Sequence, residues 1–107
     1  MKFLLPLLTA LNITTDITIY NSLPVQHHRK ELVAVNEGRT SIEVYTNGDR
    51  EEISCSFSHM GQTILQQSHT HHCYGTTTNL VLPARVEIDI VNHEQHLIQY
   101  IVRAKSL

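Results

Sequence analysis

The chain has 107 residues, a formal charge of −2 and only eight lysines and arginines, scattered from Lys2 to Lys105. That length suits one domain with a modest core. Dispersed basic residues exclude the concentrated basic face that nucleic acid as a partner would require, and no apolar run approaches the roughly 20 residues of a membrane-spanning helix.

At the N-terminus Met1-Lys2 precedes the apolar run Phe3 to Leu11. A basic start followed by a short apolar stretch matches the first two parts of a secretory signal. Residues 1–15 are therefore expected to be a signal peptide, cut after Ala10 or within Asn12 to Thr15, although no Ala-x-Ala site is present. The competing reading makes this run the first core element of the domain. Residues 16–107 are expected to form a single β-rich domain, secreted or periplasmic.

Asp16-Ile17-Thr18-Ile19-Tyr20 alternates and is rich in β-branched residues, as a half-buried strand should be. Asn21 to Lys30 holds Pro24 and the basic clump His27-His28-Arg29-Lys30, and reads as a solvated loop. Glu31 to Asn36 is a short apolar run turned by Glu37-Gly38. Ser41 to Thr46 and Asp49 to Phe57 flank Asn47-Gly48, a pair suited to a type I′ hairpin turn because both residues tolerate positive φ. A two-residue loop would pair Thr46 with Asp49 and Ile42 with Ile53. It would put Ile42, Val44, Ile53, Cys55 and Phe57 on one face, and Tyr45 and Arg50 on the other as a cross-strand pair.

Thr63-Ile64-Leu65 opens a further strand, and Thr76 to Leu82 forms another, stopped by Pro83. Arg85 to Val91 alternates with Val86, Ile88 and Ile90 inward. For Leu97 to Val102 two readings compete. Asn92-x-x-Gln95 resembles a helix capping box and the apolar spacing admits a helix. The β-branched content favours a strand, pairing Ile90 with Ile98, Ile88 with Tyr100 and Val86 with Val102. About seven short strands separated by turns predict an all-β fold: a small antiparallel sandwich or partly open barrel of immunoglobulin-like type. The tryptophan of a true immunoglobulin domain is missing, so the expectation concerns architecture only.

Two cysteines in an exported chain predict a disulfide, Cys55 to Cys73. Closing that loop would stabilise by roughly 3 kcal/mol on the chain-entropy view. Histidine is unusually frequent, with eight in all, and His69-Thr70-His71-His72-Cys73 concentrates three of them. On a straight strand His69, His71 and Cys73 would share a face, and His-x-His can chelate Zn²⁺ or Cu²⁺. That arrangement conflicts with an inward Cys73, so either the segment is a loop, or the histidines line a polar pocket, or Cys73 is a ligand. His93 and His96 flank a turn. No nucleophile elbow or paired carboxylates appear, so an enzyme is not expected. The leading expectation is a non-catalytic binding or interaction module for another protein or an extracellular ligand, with Tyr45 and Arg50 seeding its surface. The alternative is a Cu or Zn protein using His69, His71, and His72 or Cys73.

Overall fold

A computed structural model describes residues 16–35, 39–48, 50–77 and 84–107. The expected signal peptide, the Glu37-Gly38 turn and the end of the strand expected over 76–82 lie outside these residues. Eight strands follow in order: β1 (Asp16–Leu23), β2 (His28–Val35), β3 (Thr40–Thr46), β4 (Ile53–His59), β5 (Gln62–Thr70), β6 (His72–Thr77), β7 (Ala84–Asn92) and β8 (Ile98–Ser106). They form two antiparallel four-stranded sheets, ordered β1-β8-β3-β6 and β2-β7-β4-β5. The antiparallel sandwich expected from the sequence is what forms. Its eight described strands take the jelly-roll order rather than the immunoglobulin one. β1 pairs with β8, β2 with β7, β3 with β6 and β4 with β5. The fold is thus one long ribbon, doubled back between β4 and β5 and rolled so that consecutive strands mostly alternate between sheets.

The core lies between the sheets and follows directly from strand alternation. Ile42 and Val44 of β3, Tyr100, Val102 and Ala104 of β8, and Cys73 of β6 face Ile53, Cys55 and Phe57 of β4 and Val86, Ile88 and Ile90 of β7, and all are buried. Gly75 of β6 sits where a Cβ would come within 2.5 Å of Leu65 Cδ2 and 3.0 Å of Phe57 Cε2. The close approach of the two sheets at that point therefore needs glycine. Cys55 and Cys73 are joined as predicted, with Cα atoms 6.3 Å apart, so the bond ties β4 of one sheet to β6 of the other.

Two expected pairings do not form. Asn47-Gly48 does turn the chain, and Gly48 has φ of 92°, but it carries the chain from one sheet to the other instead of closing a hairpin. Ile42 stands opposite Gly75 and Ala104, and Thr46 opposite Tyr100, while Ile53 stands opposite Thr70 and Asn92. Likewise β7 pairs with β2 and β4, and β8 with β1 and β3, so Ile90, Ile88 and Val86 belong to one sheet and Ile98, Tyr100 and Val102 to the other, all buried between them and not paired. In both cases the inward faces are those that alternation predicts. An inward face meets apolar partners equally well beside it or about 10 Å away in the opposite sheet, so alternation alone cannot choose between them.

The two-residue hairpin sits instead at Met60-Gly61. His59 pairs with Gln62, and Met60 and Gly61 have φ of 52° and 81°, the two positive values that a type I′ turn requires. Methionine rarely adopts that conformation, which hid the turn in the sequence. β8 is a strand, not a helix. Asn92 is buried but caps no helix: its Nδ2 donates to the carbonyls of Leu23, Pro24 and His96, and its Oδ1 accepts from the Glu94 N–H. The segment expected as a loop over 21–30 is mostly strand, and of the basic clump His28, Arg29 and Lys30 lie exposed on β2.

Candidate functional site

The outer face of the first sheet gathers aromatic side chains into a row. Alternation turns Tyr20, Ile101, Tyr45 and His72 outward from β1, β8, β3 and β6. The register puts them side by side: Tyr20 opposite Ile101, Ile101 opposite Tyr45, and Tyr45 opposite His72. The Tyr45 and His72 rings lie 5.5 Å apart, and His72 Nε2 is 3.6 Å from a Glu43 carboxylate oxygen. The next row holds Thr18, Arg103, Glu43 and Tyr74 in the same order across the strands. Three of the chain's four tyrosines thus face outward on this sheet. Tyr20 is 74% exposed and Tyr74 48%.

Two shallow grooves flank Ile101. One, of about 460 Å³, is lined by Tyr20, Asn21, Ser22, Asn47, Gln99, Tyr100 and Ile101. The other is lined by Glu43, Tyr45, Thr46, Asn47, Gly48, His72 and Ile101. Asn47 N–H donates to the Gln99 carbonyl at 3.0 Å, and its side-chain Nδ2 lies 3.4 Å from Gln99 Oε1, which sets the two amides beside each other. Beneath this floor Tyr100 OH donates to the Glu31 carboxylate, which also accepts from Asn21 Nδ2 at 3.1 Å. Burial, then the hydrogen bond to Glu31 and its negative charge, push the Tyr100 phenol well above the usual tyrosine range. It stays a neutral donor, and the inward-facing carboxylate is never without a partner.

Of the residues singled out from sequence, Tyr45 belongs to this face and Arg50 does not. Arg50 lies exposed in the connection between β3 and β4 and is not paired across strands with Tyr45, whose neighbours are Ile101 and His72. Tyr20, Tyr74, Ile101 and Gln99 were missed as surface candidates. The alternation of β1 and β8 held the signal, but only the sheet order brings those strands alongside β3.

The histidine cluster is dispersed. A bulge places Ser68 and His69 opposite Ser54 alone, His69 takes φ of 53°, and the chain bends at His71 before β6 begins. This resolves the conflict seen in sequence: Cys73 turns inward while all three histidines stay exposed. His69 Nδ1 bonds the Glu52 carboxylate, His71 Nδ1 donates to the Glu51 carbonyl at 3.1 Å, and His72 meets Glu43 on the aromatic face. Cys73 is occupied in the disulfide. Among the described residues, no group of three or more histidine, cysteine or acidic side chains is placed to hold a metal ion. His69 instead stacks on His93 with ring centroids 4.1 Å apart. Ser54 Oγ accepts from the His69 N–H at 2.9 Å and lies 2.5 Å from His93 Nε2. Stacked rings present faces to each other and do not aim lone pairs at a common point. Among the described residues no carboxylate is bonded to the His93 ring to complete a relay to Ser54. The network ties β4 to the β5–β6 bend and the β7–β8 loop.

No family model matches the chain, and no curated protein sequence is significantly similar to it. Solved structures do share its fold. The Yersinia pseudotuberculosis-derived mitogen superposes with a TM-score of 0.68 at 8% identity, over 89% of this chain and 88% of that one. The pre-peptidase C-terminal domain of a collagenase from Bacillus anthracis gives 0.64 at 16% identity, over 84% and 89%. The Aeromonas hydrophila periplasmic inhibitor of g-type lysozyme gives 0.58 at 9%, over 84% of each chain. At such identities the likeness is one of fold. No helix of the described residues is long and apolar enough to cross a membrane.

Proposed function

We propose that this chain is an exported, non-catalytic binding module that engages another protein or an extracellular ligand through the outer face of the β1-β8-β3-β6 sheet. The observation that carries this reading is the outward row Tyr20, Ile101, Tyr45 and His72, with Tyr74 beside it. None of these side chains is needed to fill the core, and tyrosine on a rigid scaffold supplies large contact area at small conformational-entropy cost. The disulfide and the basic-then-apolar start at residues 1–11 support export, since such bonds persist in oxidising compartments. The lysozyme inhibitor that shares the fold is itself periplasmic.

Two measurements test the reading. The intact mass of protein produced with its own N-terminus, with and without reductant, reports whether residues 1–15 are removed and whether the disulfide is present. Immobilised protein is then offered an extract of cell-surface proteins and glycans. Retention should be lost in a Tyr20→Ser/Tyr45→Ser double variant and kept in Lys30→Ala, which alters the other sheet. Equal retention by wild type and the tyrosine variant would end the proposal.

A further inference from the structure

We infer that the groove beside Tyr20 is a subsite for an uncharged saccharide, an inference that rests on the outer face of the first sheet being the binding face. Tyr20, Ser22, Asn47, Gln99 and Ile101 present hydroxyls, amides, one exposed ring and one aliphatic side chain, and among the described residues no ammonium, guanidinium or carboxylate belongs to the lining. A charged ligand would lose hydration there and meet no opposite charge. A wholly apolar ligand would strip water from the amides and return no hydrogen bonds. The ligand that suits both demands is neutral and amphipathic at short range, with hydroxyls that both donate and accept beside patches of C–H.

The amides are arranged for such hydroxyls. Because Asn47 Nδ2 is turned to Gln99 Oε1, Asn47 Oδ1 and Gln99 Nε2 are left as a neighbouring acceptor and donor. A vicinal diol needs that combination, since each hydroxyl can give one hydrogen bond and accept others. Planar polar groups at fixed positions supply orientation in small-ligand sites, and the apolar lining supplies area. Tyr20, on the outermost strand and 74% exposed, offers a ring face at one end of the groove. The second groove shares Asn47 and Ile101 with the first. Three strand spacings separate Tyr20 from His72, about 14 Å in all. The ligand is therefore a chain of several sugar units lying across the strands, with Ile101 between two subsites and Tyr45 beneath the second.

The test uses the disulfide-bonded protein labelled with ¹⁵N. It is titrated with maltotetraose, cellotetraose, chitotetraose and mannotetraose, with their monosaccharides, and with a sulfated heparin tetrasaccharide. At least one neutral tetrasaccharide should shift the amides of residues 20–22, 47 and 99–101 saturably, and bind more tightly than its monosaccharide. Tyr20→Ala and Gln99→Ala should each weaken that binding by about tenfold with the melting temperature unchanged, and Lys30→Ala should leave it as in wild type. The inference is overturned if none of the four neutral tetrasaccharides perturbs these amides, if only the sulfated one binds, or if the perturbed amides lie elsewhere. If the saccharides fail while retention of a protein still depends on Tyr20 and Tyr45, the saccharide inference falls and the binding face stands. If both fail, both fall.

Discussion

The outer faces of the two sheets arise from the same strand alternation yet differ in chemistry, the aromatic side chains gathering on the first. On the second sheet, Lys30 lies 3.3 Å from Glu87 and His28 3.1 Å from Asp89, and Ser54, Ser56 and Ser58 follow one another along β4. Charges there are matched across neighbouring strands, serines line β4, and Leu32 beside Glu87 is the exposed apolar side chain of β2. On the first sheet, rings and an aliphatic side chain occupy the equivalent positions and leave apolar area exposed beside amide-lined grooves. Tyr100 of the first sheet belongs to the core, whereas the outward-facing Tyr20, Tyr45 and Tyr74 do not.

Uncoupling the two sheets should have the largest effect. Cys55→Ala removes the covalent tie between β4 and β6 and should lower stability by about 3 kcal/mol, read from urea unfolding, with Cys73 becoming reactive to thiol reagents after denaturation. An unchanged midpoint would mean that non-covalent packing alone holds the sheets together. Forcing the sheets apart is the next test. Gly75→Ala places a methyl group against Leu65 and Phe57 and should destabilise by about 2 kcal/mol, the usual range for overpacking a filled core. A neutral effect would show that Leu65, half-buried at the sheet edge, swings away freely.

The bond beneath the aromatic floor gives a smaller effect with a pH signature. Tyr100→Phe leaves the Glu31 carboxylate with Asn21 alone and should cost about 1.5 kcal/mol, as for a hydrogen bond to a charged group. The folded protein keeps the Tyr100 proton above the ordinary range, whereas the unfolded chain releases it near pH 10. Above that value the folded state binds more protons. This contribution is therefore complete below about pH 10 and is lost as the pH rises toward the folded value. Alkaline titration of stability should fall more steeply for wild type than for Tyr100→Phe, and parallel curves would refute the assignment.

The smallest effects sharpen the comparison between the faces. Tyr20→Ser and Lys30→Ala should each change stability by only about 0.5 kcal/mol or less, since one residue is an exposed edge side chain and the other half of an exposed ion pair. Only the tyrosine change should alter ligand retention. A large loss of stability in Tyr20→Ser, seen by thermal melting, would mean that the row is structural.

What the sequence determined by itself is which side of each strand faces the core. Period-two alternation assigned Ile42, Val44, Ile53, Cys55 and Phe57, and Val86, Ile88 and Ile90, to the interior, and the presence of just two cysteines pointed to the disulfide between Cys55 and Cys73. Positive φ at Gly48 was equally local, a property of one residue type in a turn. Only the tertiary structure decided who pairs with whom. Asn47-Gly48 can close a hairpin or cross between sheets with the same backbone preference, and the turn that does close one, Met60-Gly61, carries a residue that disfavours its own conformation. The aromatic row could not be read from the sequence for the same reason: Tyr20, Tyr45, His72 and Ile101 come from four strands that become neighbours only in the order β1-β8-β3-β6. Strand order is set by how the whole ribbon rolls to bury its inward faces, a non-local balance of packing and loop closure that no single segment encodes.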